Sequence, residues 1–196
     1  MDAGANQPAH SIEKVLSSPN LSTPCKAVIR PVRRDDLKDA AGIADVLNSV
    51  IAEGHYTALT GHWTPEAELA FLQSLGGRSE VVVAMVAERI VGFQVIEPFA
   101  AYTSAMDHVA ILGTYVCADF RGRGIGQRLA AATFVFAQEQ GYEKVVIYVL
   151  AHNESGLTYY RGLGFVEKGV LARQTRLDGV YHDEVFMELH FVEPNG

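Results

Sequence analysis

The fold of this chain is decided by residues 109–126, whose sequence is VAILGTYVCADFRGRGIG. An apolar run that stops at a glycine-rich turn is typical of a β-strand that enters a loop. After the turn, apolar residues recur at helical spacing, and Gly141 is suited to end a helix in the left-handed conformation. The stretch therefore predicts a strand, a loop and a long helix whose apolar side packs on a sheet. The residues that carry this helical spacing are Ile125, Leu129, Ala132 and Phe136.

The loop before the helix has the composition of an anion site. The first turn of a helix has backbone N–H groups without helical partners, and the aligned peptide dipoles add a partial positive charge there. Gly122, Gly124 and Gly126 would let a phosphate approach the backbone closely, while Arg121 and Arg123 add charge. A pyrophosphate is the expected occupant.

Two familiar phosphate-binding motifs are excluded by the residues that follow the loop. Gln127 stands where a dinucleotide fingerprint needs its third glycine, and no Gly-Lys-Ser/Thr sequence follows. The pattern Arg-x-x-Gly-x-Gly instead resembles the acyl-CoA loop of the GNAT superfamily of N-acetyltransferases. The resemblance continues through a strand at 144–150, then Asn153, then the segment from Tyr160 to Phe165 with its Gly-Phe end.

The resemblance implies that an amine attacks the thioester of acetyl-CoA. In that family the pantetheine arm pairs with the strand before the loop, and Tyr160 occupies the position from which tyrosines protonate the departing thiolate. Its ordinary pKa near 10 keeps it protonated at neutral pH. Asn153 resembles the residue that binds the arm, and it is equally suited to cap a helix. The expected cofactor-binding residues are Tyr115, Val116, Cys117, Arg121, Gly122, Arg123, Gly124, Ile125, Gly126, Asn153 and Tyr160.

The general base is the point at which the sequence departs from the family pattern. Many members carry a glutamate on the strand before the loop, and Ile111 stands at that place. We expect His108, at the entry of the strand, to be catalytic in its stead. Other candidates are Glu97, Glu53 and His55. On the last hairpin Asp183 or Glu184 could contact a cationic acceptor, but strand alternation puts only one of them on a given face.

The order of the predicted elements places the chain in the α+β class, with a GNAT-like mixed, mostly antiparallel sheet of about seven strands and helices on both faces. Residues 1–25 are predicted to be a mobile extension, although they could also clasp a partner subunit. Residues 26–196 form one domain, and the loop at 54–63 is expected to shape the acceptor pocket. Strands are predicted at 27–31, 81–87, 90–99, 109–117, 144–150, 166–172 and 180–192, and helices at 36–53, 64–75, 125–140 and 153–161.

Composition limits the partners. The 196 residues carry a net charge of −7 and a pI near 5.5, which argues against nucleic acid as a partner and favours a cationic amine. The sequence contains no apolar run long enough for a membrane span, and Cys25 and Cys117 form no disulfide framework, so a cytoplasmic location is expected. Seven histidines without ligand spacing predict no metal site, and a homodimer is left open.

Together these features predict an acetyl-CoA-dependent N-acetyltransferase that acts on a small primary amine, including an amino acid, by direct attack in a ternary complex. The closing sequence DGVYHDEVFM, at 178–187, resembles the end of amino-acid and phosphinothricin-type acetyltransferases and of some that modify protein N-termini. Two other hypotheses stay open: a CoA-binding sensor without turnover, and a nucleotide-phosphate binder that uses the same loop.

Overall fold

A seven-stranded sheet forms the centre of the molecule, with the strand order β1-β2-β3-β4-β5-β7-β6. This computed structural model describes residues 26–191. Four helices and two short 3-10 turns, at 104–106 and 118–120, complete the described part. The strands are β1 (Val28–Pro31), β2 (Glu80–Val86), β3 (Arg89–Pro98), β4 (Val109–Val116), β5 (Lys144–Leu150), β6 (Val166–Leu177) and β7 (Val180–His190). The helices are α1 (Leu37–Ala52), α2 (Pro65–Ser74), α3 (Ile125–Glu139) and α4 (Glu154–Gly162).

The pairing of β4 with β5 creates the opening on which the rest of the molecule depends. Every other neighbouring pair of strands is antiparallel, whereas β4 and β5 run parallel. Their pairing covers only three residues of each strand and stops at Ile111 opposite Val146. Beyond this point β5 continues to pair with β7, while the last residues of β4 have no strand on that side. The mixed, mostly antiparallel sheet predicted from the sequence is confirmed.

Helices cover both faces of the sheet because the strands are apolar on both faces. Successive side chains of a strand point to opposite faces, so Val81 and Val83 join the core under α1 and α2, while Val82 and Ala84 pack against α3. The two-sided burial also explains why β2 is a continuous apolar run and not an alternating one.

The ends of the helices follow from individual residues. Asp36 and Thr64 cap α1 and α2 through their side chains, and Pro65 is the first residue of α2. Gly141 adopts a φ of 77° directly after α3, as expected for a residue that ends a helix. The first hairpin differs slightly from the prediction, because Ala87 and Glu88 form the turn in place of Glu88 and Arg89.

The last hairpin is longer than predicted. Its turn at Asp178 and Gly179 has positive φ at both residues, as the Asp-Gly sequence indicates. The first strand, β6, extends to Leu177, whereas an end at 172 was predicted. Its register with β7 shifts along the way. The predicted extension at 1–25 lies outside the described residues. Within 26–191, no helix has the length and apolar character needed to cross a bilayer.

Candidate functional site

A cleft of about 1150 Å³ occupies the gap between β4 and β5. It passes through the sheet, since it is bounded on one side by α3 and α4 and on the other by α1 and the loop after it. Val50 and Tyr56–Leu59 line the second side, so part of the predicted acceptor loop does reach the cleft. The Asn48 side chain holds this loop in place, because it donates to the carbonyl of Trp63 at 2.8 Å and accepts from its N–H at 2.9 Å.

The glycine loop forms a backbone cradle at one end of the cleft. Gly122 and Gly124 have φ values of 69° and 76°, which is the left-handed region that glycine adopts without strain. Gly124 is also the N-cap of α3, so the free N–H groups of the first turn face the cleft end. Successive backbone N–H groups in such conformations make a concave anion site. Ile125 contributes only backbone here, because its side chain is 2% exposed and lies in the core.

Gly126 is a glycine for a different reason, which is the packing of α4 on the loop. A Cβ atom at this position would lie 2.7 Å from the ring of Tyr159. The Tyr159 hydroxyl donates a hydrogen bond of 2.9 Å to the carbonyl of Gly126. Tyr159 therefore closes the wall between α3 and α4, and its hydroxyl is already engaged.

The two arginines of the loop differ in their surroundings. Arg121 forms a bidentate pair with Glu53, at 2.8 and 2.5 Å, donates from Nε to the carbonyl of Val116 at 2.9 Å, and lies 4.3 Å from the ring centre of Tyr56. Arg123 is exposed, with its guanidinium over the ring of Phe120. Arg121 thus joins the glycine loop to α1, and Arg123 is the side-chain cation of the pair that solvent reaches more freely.

The contacts with Arg121 also define the role of Glu53, which was a candidate base. Its two carboxylate oxygens accept hydrogen bonds from the Arg121 guanidinium, and this pairing raises the pKa of Arg121. Both oxygens of Glu53 are taken up by the guanidinium of Arg121, so Glu53 has a structural role in joining α1 to the glycine loop.

The directions of the backbone groups along β4 contradict two of the predicted cofactor contacts. The N–H of Cys117 donates to the carbonyl of Val91 in β3 at 3.0 Å, and the carbonyl of Tyr115 points at Gly92 of the same strand. Since backbone groups alternate in direction along a strand, the groups that face the gap belong to the residues between them. These residues are Leu112, Thr114 and Val116. Tyr115 and Cys117 cannot offer their backbone to a ligand in the gap.

Cys117 is a packed core residue. Its side chain is 7% exposed and lies in the cluster under α1, with Sγ 3.7 Å from the Ser49 hydroxyl oxygen. The sequence alone does not predict which backbone groups of β4 face the gap. That depends on which of the two neighbouring strands, β3 or β5, stops pairing with β4. Here it is β5 that diverges.

Tyr160 lies in the cleft and is largely buried. Its hydroxyl donates to Oγ1 of Thr114 at 3.0 Å, and the same oxygen accepts from Nε2 of Gln94 at 2.7 Å. Burial raises the pKa of Tyr160 well above its ordinary value, so the phenol is protonated throughout the neutral range. The structure thus brings together Tyr160, which was predicted, and Thr114, which was not.

Asn153 begins α4 at the opposite wall of the cleft. Its Oδ1 accepts from the N–H of Gly156 at 2.9 Å and from the Ser155 hydroxyl at 3.0 Å. Asn153 also lines the cleft. The side chain is therefore a helix cap through its oxygen, and its amide nitrogen is the donor that it could offer to a ligand.

His108, which was expected to be catalytic, is not part of the cleft. It is exposed at the start of β4, where its carbonyl accepts from the N–H groups of Glu143 and Lys144. The gap opens only beyond Ile111, about 10 Å further along the strand. The position of His108 therefore contradicts the prediction that it is catalytic. His55 lies in a small surface pocket beside His152 and does not line the main cleft either.

Two carboxyl groups lie outside the cleft lining, on the face of the sheet that α1 and α2 cover. Glu97 is directly opposite Ile111 in the β3–β4 register. Glu68 of α2 is 3% exposed, and burial raises its pKa to about 7. Glu68 and Leu72 are the fully buried members of α2, and they lie on one face because they are four residues apart. The spacing of these two residues is the signal that could have identified Glu68.

The last hairpin contributes one acid to the cleft. Glu184 lines it and accepts a hydrogen bond of 2.5 Å from the Thr175 hydroxyl, whereas Asp183 accepts from the N–H of Arg173. Only one of the pair faces the cleft, as the alternation along the strand predicts. Among residues 26–191, no three His, Cys, Asp or Glu side chains are grouped as metal ligands would be.

Comparison with known proteins adds a family match. The model of the family described as "Acetyltransferase (GNAT) family" matches residues 49–165. Phosphinothricin N-acetyltransferase of Streptomyces viridochromogenes is 25% identical over 166 residues, which cover 85% of this chain and 88% of that protein. Mycothiol acetyltransferase of Corynebacterium aurimucosum is 32% identical over 111 residues, which are 56% of this chain but only 34% of that protein.

Solved structures share the fold. A putative phosphinothricin N-acetyltransferase superposes with a TM-score of 0.76 at 22% identity and covers 86% of this chain and 100% of its own. A phosphinothricin acetyltransferase from Sinorhizobium meliloti, solved in complex with AcCoA, superposes with a TM-score of 0.75 at 19% identity over 86% of this chain and 90% of its own.

Proposed function

Because the chain belongs to the acetyltransferase (GNAT) family, we propose that it transfers an acetyl group from acetyl-CoA to the primary amine of a small molecule. The observation that carries the proposal is the continuity of the cleft. Unpaired backbone of β4 lines the gap beyond Ile111, and the gap ends at the left-handed glycines of the loop. A long ligand with an anionic end and an amide-rich arm has the shape and the polarity that this cleft accommodates.

The residues of the cleft fit acetyl-CoA group by group. The N–H groups around Gly124 and the exposed Arg123 would hold the pyrophosphate, and nothing would obstruct it near Gly122, which has open space around its Cα. The backbone of Thr114 and Val116 and the amide of Asn153 would hold the arm. When bound, acetyl-CoA supplies the acetyl group as a thioester, the activated form that an amine can attack.

Tyr160 would serve as the acid of the reaction. Its buried phenol holds a proton at neutral pH, in the part of the cleft where β4 and α4 approach each other. The hydroxyl of Thr114 orients it, because Gln94 fixes Thr114 from the other side. In this structure the Tyr160 hydroxyl donates to Thr114, and rotation about its C–O bond would turn the proton to the sulfur that leaves.

An amino-acid-like amine is the acceptor we propose. Glu184 lines the cleft and Glu68 and Glu97 lie beyond Tyr115, so the acceptor end is acidic, as a cationic amine requires. Two relatives are named for such compounds, phosphinothricin N-acetyltransferase and, at 29% identity over 93 residues, the L-methionine sulfoximine/L-methionine sulfone acetyltransferase of Pseudomonas aeruginosa. That second match covers 47% of this chain and 52% of the relative.

The test is titration of acetyl-CoA into the protein by calorimetry, with ATP as the control ligand. We expect micromolar binding of acetyl-CoA and none of ATP. Gly124→Val should abolish binding by closing the cradle, whereas Gly77→Val, at an exposed site with open space around it, should not. An amine panel of amino acids, polyamines and N-terminal peptides, followed by CoA release, then identifies the acceptor.

Each result has a consequence for the competing hypotheses. Binding without acetylation of any amine would favour a CoA-binding sensor, and tighter binding of ATP would favour a nucleotide-phosphate site. Faster acetylation of N-terminal peptides than of free amino acids would replace the small molecule by a protein as acceptor.

We also propose that the protein forms a homodimer through β6. Among the described residues β6 pairs on one side only, and its exposed side chains include Val166 and Val170, at 57% and 61%. β6 is a twelve-residue edge strand of mixed apolar and charged side chains, and its unpaired backbone groups favour pairing with another strand. Light scattering should give twice the chain mass of 21.3 kDa, and Val170→Lys should reduce it to the chain mass. A wild-type protein of the chain mass at micromolar concentration would contradict the dimer.

A further inference from the structure

We propose that Glu68 receives the proton that the ammonium group of the acceptor loses before it attacks the thioester. The inference rests on the proposed function and concerns the same cleft. In this step an N–H bond of the ammonium breaks and its electron pair stays on nitrogen. The proton reaches a carboxylate oxygen of Glu68 through the Tyr115 hydroxyl, which gives up its own proton as it takes one. The proton then passes to solvent.

The step is needed because most acceptor amines are protonated at neutral pH. At pH 7 a lysine-like amine of pKa near 10.4 is neutral in fewer than about one molecule in a thousand, and an α-amine in roughly one in ten. The lining of the cleft contains no histidine, and its one carboxyl group belongs to Glu184. The proton acceptor must therefore be Glu184 or a group just behind the lining.

Tyr115 leads from the cleft to the two other carboxyl groups. Its ring stacks on Phe93 at a centroid distance of 4.7 Å and lies back over Gly113. A Cβ atom on Gly113 would be only 3.2 Å from the ring and 3.5 Å from the hydroxyl. The hydroxyl of Tyr115 therefore points back along β4 toward Ile111, whose partner across the strand pair is Glu97.

Glu68 approaches the same region from α2. It lies one turn before Leu72, which belongs to the apolar cluster that includes Tyr115 and Phe93. Burial raises the pKa of Tyr115, and Glu68 and Glu97 raise it further, so each of the two carboxyl groups lies within electrostatic reach of the Tyr115 hydroxyl. Thr57, at the rim of the cleft, also interacts with the Tyr115 hydroxyl.

Glu68 has no partner of its own. Within the described residues its carboxyl group forms no hydrogen bond or ion pair, although the side chain is 3% exposed. The fully buried polar atoms without a partner in the described residues are Gln94 Oε1 and Thr133 Oγ1, so the oxygens of Glu68 keep some access to the cleft or to solvent. A carboxyl group whose pKa lies near 7 is well matched to proton transfer at physiological pH.

The elements packed around Glu68 supply no cation that would hold it ionised. The inward face of α1 is apolar, and the one buried acid of that helix, Asp39, is paired with Arg30 and Arg33. From β3 and β4 the titratable groups that face this region are Glu97 and Tyr115. The α1 side chains concerned are Ile43, Val46, Leu47 and Val50.

The experiment compares three isosteric variants, Glu68→Gln, Glu97→Gln and Glu184→Gln, with the exposed Glu66→Gln as control. The readouts are kcat/KM for the best amine between pH 5.5 and 9, and acetyl-CoA affinity by calorimetry. We expect Glu68→Gln to lower kcat/KM at pH 7 at least tenfold and to remove the decline of wild-type kcat/KM on the acid side near pH 7. Glu97→Gln should cause a smaller loss, Glu66→Gln none, and acetyl-CoA affinity should stay within twofold in all four.

The outcomes separate this inference from the proposed function. An unchanged kcat/KM and pH profile in Glu68→Gln, with wild-type turnover intact, would overturn the role of Glu68 alone. Loss of the acid limb in Glu184→Gln would assign the proton to Glu184 and also overturn it. If wild-type protein binds no acetyl-CoA or acetylates no amine, both the function and this inference fail. Circular dichroism of each variant ensures that a loss of activity is not a loss of fold.

Discussion

Replacing Tyr160 with phenylalanine is expected to lower kcat at least tenfold and to leave the affinity for acetyl-CoA nearly unchanged. The substitution removes the phenolic proton and retains the ring, which packs against Phe165 at a centroid distance of 5.4 Å. Loss of a general acid typically costs a factor of about 10² to 10⁴, so tenfold is a lower limit. Thr114 still accepts from Gln94 in the variant, so the β4 edge should keep its conformation.

Tyr159→Phe is the matched control. Its hydroxyl is buried against the carbonyl of Gly126 and not offered to a ligand. This variant should lose about 1 kcal/mol of stability with the hydrogen bond, while kcat changes little. Steady-state kinetics and calorimetry on the two variants separate the neighbouring tyrosines. Near-normal turnover in Tyr160→Phe would remove its role as the acid.

The second large effect concerns stability. Glu68→Gln should raise the free energy of unfolding by about 3 kcal/mol at pH 8, but by less than about 1 kcal/mol at pH 5. The carboxyl group has a pKa of about 7 in the folded protein, against an ordinary value of 4.5, so the folded state binds its proton more tightly. Wild-type stability therefore falls as the pH rises from 4.5 to 7, and the loss is complete above 7. The neutral amide of the variant avoids this loss.

Urea unfolding at a series of pH values measures the difference. Glu66→Gln, on the exposed side of the same helix, should show no such dependence on pH. An equal change at pH 5 and pH 8 would mean that the effect comes from packing and not from ionisation. A stabilised variant that has lost activity would show that the wild type retains an unfavourable buried acid because its reaction uses it.

The sequence predicted the parts of the site that depend on local pattern. Gly122 and Gly124 adopt the left-handed conformation that the loop chemistry requires, and Asn153 caps the helix that delivers Tyr160 to the cleft. These residues are recognisable because their roles are fulfilled within a few positions along the chain. The fold class was predictable for the same reason, since each strand, turn and helix carries its own signals.

The parts that were missed depend on neighbours distant in sequence. The backbone directions of Tyr115 and Cys117 follow from the divergence of β5, and the engagement of Arg121 follows from Glu53, 68 positions away. His108 was a plausible base by residue type, but its strand position places it below the gap. Glu68 was not among the candidates predicted from the sequence, because an acid in the first turn of a helix is common and only the packing of α2 shows that this one is buried.

The gap in the sheet also bears on how such a protein can diversify. Along β4 the gap exposes hydrogen-bonding groups of the main chain. A main-chain donor is the same whichever side chain the residue carries. Mutation at Leu112 or Val116 can thus alter packing without altering the hydrogen-bonding pattern at the edge. The side of the cleft toward α1, by contrast, is lined by the side chain of Val50 and by the loop residues Tyr56–Leu59. The main-chain groups of the β4 edge therefore persist through sequence drift, whereas the shape and polarity of the opposite side of the cleft change with its side chains.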